Sequence, residues 1–244
     1  MHELVALDVN VMVGWGPTPV AAAKSITKTI PIVMMVNSDP IAAGLVANVS
    51  RPDGNVTGVA VVDDLDGKRL ELAKEALPRL GRVAILVNPD RPGVNDLIAQ
   101  TRRAAESLAL QSAVFPVRSP DDFKRAFVEM KNARAQAVLV LTDVMYWTHR
   151  ADIANQAMSA GLPTIFPSRD YVAVGGLISY SASFYDMARR AATYVDRILR
   201  GARVVDLPVE QPTRFELVIN MQTAKTLGLS VPNTVVLRAD EVIR

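Results

Sequence analysis

Apolar positions along the chain follow two rhythms. Short runs at 9–13, 32–36, 56–62, 82–87, 111–116, 137–141, 164–166, 177–180 and 217–220 are apolar at nearly every position and rich in Val and Ile. Such runs predict strands covered on both faces. Longer stretches with helical spacing separate them, at 20–28, 41–49, 65–77, 94–108, 120–132, 146–160, 184–200 and 223–227. In 65–77, Leu65, Leu70, Leu72, Ala73 and Leu77 can share one buried side. Turn residues punctuate the alternation: Gly14 to Pro19 after the first run, Asn37-Ser38-Asp39-Pro40 after the second, and Gly201 after the longest helix. Strand–helix alternation predicts an α/β fold of parallel sheets with helices on both faces. No long linker interrupts it, so two lobes would be joined by crossing strands rather than by a tether.

The 244 residues are long for one domain and comfortable for two lobes, and half of them are apolar, enough for a substantial core. The net charge of +2, from 27 Lys and Arg against 25 Asp and Glu, is too small to imply nucleic acid or an anionic membrane surface. The absence of cysteine excludes disulfides, thiolate metal sites, a Cys nucleophile and a lipidated Cys within this sequence. No apolar run approaches the length of a membrane span. The first eight residues show no basic region followed by an apolar core, so the expectation is a cytoplasmic chain or one without its targeting segment.

In open parallel sheets, ligands bind outside the carboxyl ends of the strands. The residues there are Trp15 and Thr18; Asn37, Ser38 and Asp39; Asn88 and Asp90; Thr142 and Asp143; Ser168, Arg169 and Asp170; and Ser179 to Ser181. This mostly uncharged or acidic set suits hydrogen bonding to a small polar molecule. Thr18, at a helix start before Pro19, reads as an N-cap, and that same helix end also suits a ligand carboxylate. Ser38 and Asp39 carry the same two readings, with capping the better account of Asp39. Asp143 directly follows an apolar strand and is either a cap or the partner of a ligand ammonium, the role favoured here. Asn88 offers both donor and acceptor, whereas Asp90 organises the turn. Among the sparse aromatics, Trp15 and Tyr180 are the candidates for cleft walls.

Enzymatic readings find little support. The two histidines are terminal His2 and His149 in a polar helical turn, and no nucleophile elbow, phosphate-binding loop or dinucleotide fingerprint is present. Asp63, Asp64 and Asp66 precede a helix, where negative charge is favourable without any metal. Neither a cofactor nor a metal is expected.

Several longer stretches carry a family resemblance. Gln211-Pro212-Thr213-Arg214-Phe215-Glu216-Leu217-Val218-Ile219-Asn220, Thr223 to Leu229, and Ala239-Asp240-Glu241-Val242-Ile243 resemble the C-terminal signature of an ABC transporter substrate-binding protein family. Thr18-Pro19, Ile30 to Val33, Ser38-Asp39-Pro40, Arg51 to Gly58, Asn88-Pro89 and Gly175 to Tyr180 extend the match to nearly the whole chain. The resemblance implies a type I periplasmic-binding-protein fold. Its N-terminal lobe would comprise 1–58 with about 182–210, and its C-terminal lobe 59–181 with about 211–244. Crossings are expected near 57–62, 178–181 and 208–213.

The resemblance further implies a periplasmic protein that closes on a small solute, amino-acid-like in some relatives, and presents it to a membrane permease. Thr18 and Ser38 would then face a carboxylate and Asp143 an amine. Family members usually carry a signal peptide and a strand–helix–strand unit before the segment resembling 3–13. An N-terminal lobe without its first strands, open to self-association, is therefore expected. The rival readings are a ligand-sensing regulatory domain of the same fold, and an α/β enzyme acting on a sugar or nucleotide.

Overall fold

A computed structural model of the chain describes residues 6–7, 9–36, 39–61, 65–91 and 93–244. The chain divides into two compact units, 1–63 with 182–215 and 64–181 with 216–244. It passes between them at 63/64, 181/182 and 215/216. A switch at 58/59 falls inside a strand, and one at 210/211 falls before the next strand starts.

In the first unit, β1 (Met12–Trp15), β2 (Ile32–Val36) and β3 (Val56–Ala60) form a parallel sheet in that order, with β1 at one edge. β2 and β3 are buried at every position. Close approach of these strands depends on Gly58, whose φ is +134° and where a Cβ would lie 2.2 Å from the Met34 carbonyl oxygen. Helix α1 (Pro17–Ile26) packs on β1 and β2. A 16-residue helix over Phe184–Leu199 packs on β2 and β3. Its buried residues Met187, Ala191, Tyr194 and Ile198 recur at helical spacing, and Ser183 caps it through the Asp186 N–H.

The Tyr194 hydroxyl donates to the Pro208 carbonyl at 2.6 Å, and burial raises its pKa well above the phenol range. It thereby ties the helix to the segment that returns along β3. Tyr194→Phe is expected to cost about 1 kcal/mol in urea denaturation, the usual worth of one such bond.

The helix expected at 41–49 does not form. Residues 40–44 make turns, and Gly44, at φ +68°, stops the winding after one of them. Leu45 and Val46 then turn into the core. Burial of those two side chains outweighs the helical spacing of the stretch.

In the second unit, the strands after β3 are β4 (Arg82–Val87), β5 (Gln111–Pro116), β6 (Ala137–Val140), β7 (Thr164–Phe166), β8 (Ile178–Ala182), β9 (Phe215–Asn220) and β10 (Glu241–Ile243). They form one sheet in the order β10-β9-β8-β7-β6-β4-β5. Alternate residues serve opposite layers, as the period of two requires. Ile85, Leu139, Ile165 and Ile178 pack with residues of α2 (Leu65–Ala76) and α3 (Val94–Ser107). Ala84, Leu86, Val138, Val140 and Phe166 pack with α4 (Phe123–Asn132) and, beyond a break, α6 (Arg150–Ala160).

The single helix expected at 146–160 is two. A short α5 (Val144–Thr148) ends at His149, whose ψ of 24° departs from helical geometry. A further short helix, α7 (Arg169–Ala173), follows β7, and α8 (Phe184–Leu199) is the long helix of the first unit. Near the C-terminus lie α9 (Met221–Thr226) and α10 (Asn233–Val236). Among the described residues, no helix is long and apolar enough to cross a membrane.

Candidate ligand-binding site

In the second unit, the strand ends bring a polar cluster together. Asn88 follows β4, and Asp143 follows β6 by three residues. The Asn88 side-chain amide donates to Asp143 Oδ2 at 3.1 Å, while its Oδ1 accepts from the Asp90 N–H. Asp143 Oδ1 caps α5, accepting the Met145 N–H at 2.8 Å and the Tyr146 N–H at 3.4 Å. Cap and functional carboxylate are therefore one group: Oδ1 is committed to the backbone, and Oδ2, with one partner, keeps accepting capacity.

Around this carboxylate lie residues that the sequence reading did not single out. Arg91 donates to the Thr142 carbonyl at 2.8 Å. Burial lowers its pKa, and the nearby charges of Asp66 and Asp143 oppose that effect. Arg69, 3% exposed, forms a buried ion pair with Asp66 and donates Nε to the Tyr180 carbonyl at 2.8 Å. Asp66 thus has a partner within its own helix as well as a favourable place in its first turn. Their spacing of three on the apolar side of α2 was the available signal. Asp63 and Asp64 lie outside the described residues.

Ser168 occupies the N-cap position of α7 without capping it, and its buried hydroxyl has no partner. The hydroxyls of Tyr171 and Ser179 are also buried and unpartnered. Tyr171 stacks on Phe166 at 4.5 Å. Burial first, and the charge of Asp143 second, raise its pKa far above the ordinary phenol value, so it stays a neutral donor. Unsatisfied buried hydroxyls suit a polar ligand group or an ordered water. The Tyr180 side chain is half-buried and packs against the α2 layer. Trp147 donates to Asp170 and lies under Arg150, 4.6 Å from its guanidinium carbon.

In the first unit, the N-cap of α1 is Gly16, not Thr18. Gly16 has φ +87° and no side chain with which to cap, and Pro17 fills the first helical position. Thr18 is exposed in the first turn, where the uncapped N–H groups of a ten-residue helix can meet an anion. Asp39 Oδ1 accepts the N–H groups of Ile41 and Ala42 and so closes the turn that stands where a helix was expected. Ser38 and Asn37 lie outside the described residues. Trp15 ends β1 and stands edge-on to Phe184. Two surface hollows of this unit, about 210 and about 320 Å³, lie elsewhere, beside Val11 to Gly14 and beside Lys24 and Lys28. No group of three or more metal-ligating side chains occurs among the described residues.

Known proteins resemble this chain in sequence and fold. A curated relative from Clostridioides difficile, a "Tyrosine-binding protein", is 26% identical over 228 residues, covering 92% of this chain and 66% of its own length. The chain thus spans just under two thirds of that relative. A conserved domain protein from Vibrio cholerae has a solved structure matching at TM-score 0.91 and 27% identity, over 98% of this chain and 80% of that one. A solved ABC domain in complex with L-Trp, from Streptococcus pneumoniae, matches at TM-score 0.88 and 26% identity, over 99% of this chain and 83% of that one. These likenesses and the two parallel sheets give the type I periplasmic-binding-protein fold. The family model described as "ABC transporter substrate binding protein" matches residues 1–243, and the chain belongs to that family.

Proposed function

We propose that this chain is the solute-binding component of an ABC importer, that its ligand is amino-acid-like, and that it performs no chemistry on it. The observation that carries this reading is the family match over residues 1–243, combined with an acidic, hydrogen-bonded cluster at the strand ends of the second unit. Asp143 Oδ2 is the partner of the ligand ammonium, with Asn88 orienting the carboxylate. The first turn of α1 with Thr18, and Ser38, meet the ligand carboxylate. Ser168 adds a hydroxyl. Relatives described as binding tyrosine and L-Trp support an α-amino acid over a sugar.

Ligand binding stabilises one conformation, which a membrane permease recognises. The chain works in the periplasm, where such a permease meets it. A thermal-shift panel of amino acids, sugars and nucleosides tests the class. A true ligand at a hundred times its Kd stabilises the fold by about 2.7 kcal/mol. Stabilisation by sugars or nucleosides alone would contradict the amino-acid reading.

A further inference from the structure

The C-terminal stretches that carry the family resemblance take no part in the ligand contacts above, yet three of their side chains meet one short element. α7 has five residues, and Ser168 at its N-cap position does not cap it. A helix of that length does not hold itself, because few of its backbone bonds are internal. At its start, Arg169 donates Nη2 to Glu241 Oε2 at 2.5 Å, across 72 positions of sequence. At its end, the Asn220 amide donates to the Val172 carbonyl at 3.2 Å. Just beyond, the Thr223 hydroxyl donates to the Gly175 carbonyl at 3.0 Å.

These contacts belong to one framework. Asn220 and Thr223 are buried, and the Asn220 Oδ1 accepts the Thr223 N–H at 2.9 Å. A buried amide is stable where both its ends are bonded, and here one end caps α9 while the other grips α7. Asn220 is also the register partner of Ile243 on β10, the strand that Glu241 begins. The element so gripped carries ligand-reading groups. Ser168, with its buried and unpartnered hydroxyl, directly precedes Arg169. The Asp170 carboxylate accepts the Trp147 indole N–H at 3.2 Å, which joins α7 to α5, the helix that Asp143 caps. All of these residues lie in the second unit.

We infer that Asn220, Thr223 and Glu241 are positioning residues for ligand binding: they clamp α7 at both ends and so fix Ser168 and, through Asp170 and Trp147, the helix that starts at Asp143. This rests on the amino-acid reading above and deepens it. None of the three touches the ligand; they act through α7.

Glu241→Ala, Asn220→Ser and the charge swap Arg169→Glu/Glu241→Arg test this in the whole chain. Three quantities are measured: urea stability, hydrogen exchange at 168–176, and the melting-temperature shift given by a mixture of the common L-amino acids. Glu241→Ala is expected to leave urea stability nearly unchanged, because the side chains of the pair are 39% and 43% exposed. Exchange at 168–176 is expected to quicken about three-fold, and the mixture concentration giving half the full shift to rise about three-fold. The swap is expected to restore both. Asn220→Ser keeps an oxygen to cap α9 but is too short to reach Val172, and both quantities are expected to move about five-fold.

Unchanged exchange in both single variants, faster exchange with wild-type affinity, or a swap that restores neither quantity would overturn the positioning role while leaving amino-acid binding intact. A wild type that the mixture does not shift would overturn the amino-acid reading itself, and the positioning role with it.

Discussion

Replacing Arg69 with methionine is expected to destabilise the protein by about 3 kcal/mol, the lower end of the range for removing one partner of a buried ion pair. Arg69 and Asp66 are 3% and 5% exposed, so Asp66 would keep a desolvated charge without its direct partner. The Tyr180 carbonyl would lose its guanidinium donor as well. The loss stays near the lower end because Arg91 remains close enough to act on Asp66, and its repulsion with Arg69 disappears. Urea denaturation followed through Trp147, in the same unit, measures the effect. The double variant Asp66→Ala/Arg69→Met is expected to be more stable than Arg69→Met alone, since the buried carboxylate is removed together with the guanidinium it pairs with. A single variant as stable as wild type would show that the pair contributes nothing to holding the strand ends.

For ligand binding, the largest effect is expected at Asp143. Asp143→Asn keeps a side-chain oxygen for the Met145 and Tyr146 N–H groups, so the cap on α5 survives with a loss below about 1 kcal/mol. The negative charge disappears, and with it the partner of a ligand ammonium. Removing one side of such a desolvated pair costs about 2–5 kcal/mol, so affinity is expected to fall by at least about thirty-fold. Asp143→Ala loses cap and charge together and is expected to lose about 1 kcal/mol of stability in addition. The Asn variant thus separates the two roles that the sequence left open for this residue. An Asp143→Asn protein that binds as the wild type does would leave Asp143 with its structural role alone.

The sheet-forming segments were legible because a strand covered on both faces is apolar at consecutive positions, as in 82–87 and 137–140. Spacing alone misjudged 41–49, where the left-handed Gly44 and the burial of Leu45 and Val46 override helical periodicity. It also fused α5 and α6, since nothing local announces the change of direction at His149. At the site, residues directly following strands were readable, and Asn88 and Asp143 do meet although 55 positions apart.

Arg69 and Arg91 were not readable in the same way. A charge on an amphipathic helix or in a loop is usually solvated, and only tertiary packing buries Arg69 and half-buries Arg91. The N-cap of α1 was misplaced because Gly16 holds that position with no side chain to mark it. Phe184 resembled an ordinary first residue of a helix, and its contact with Trp15, 169 positions away, has no local signature.

A solute-binding component is expected to bind an amino acid and return it unchanged. Titration calorimetry with L-amino acids, followed by chromatographic recovery of the ligand, tests it directly. Saturable one-to-one binding is expected, with the ligand recovered intact and in full. No heat from any amino acid, or a ligand recovered as a different compound, would contradict it.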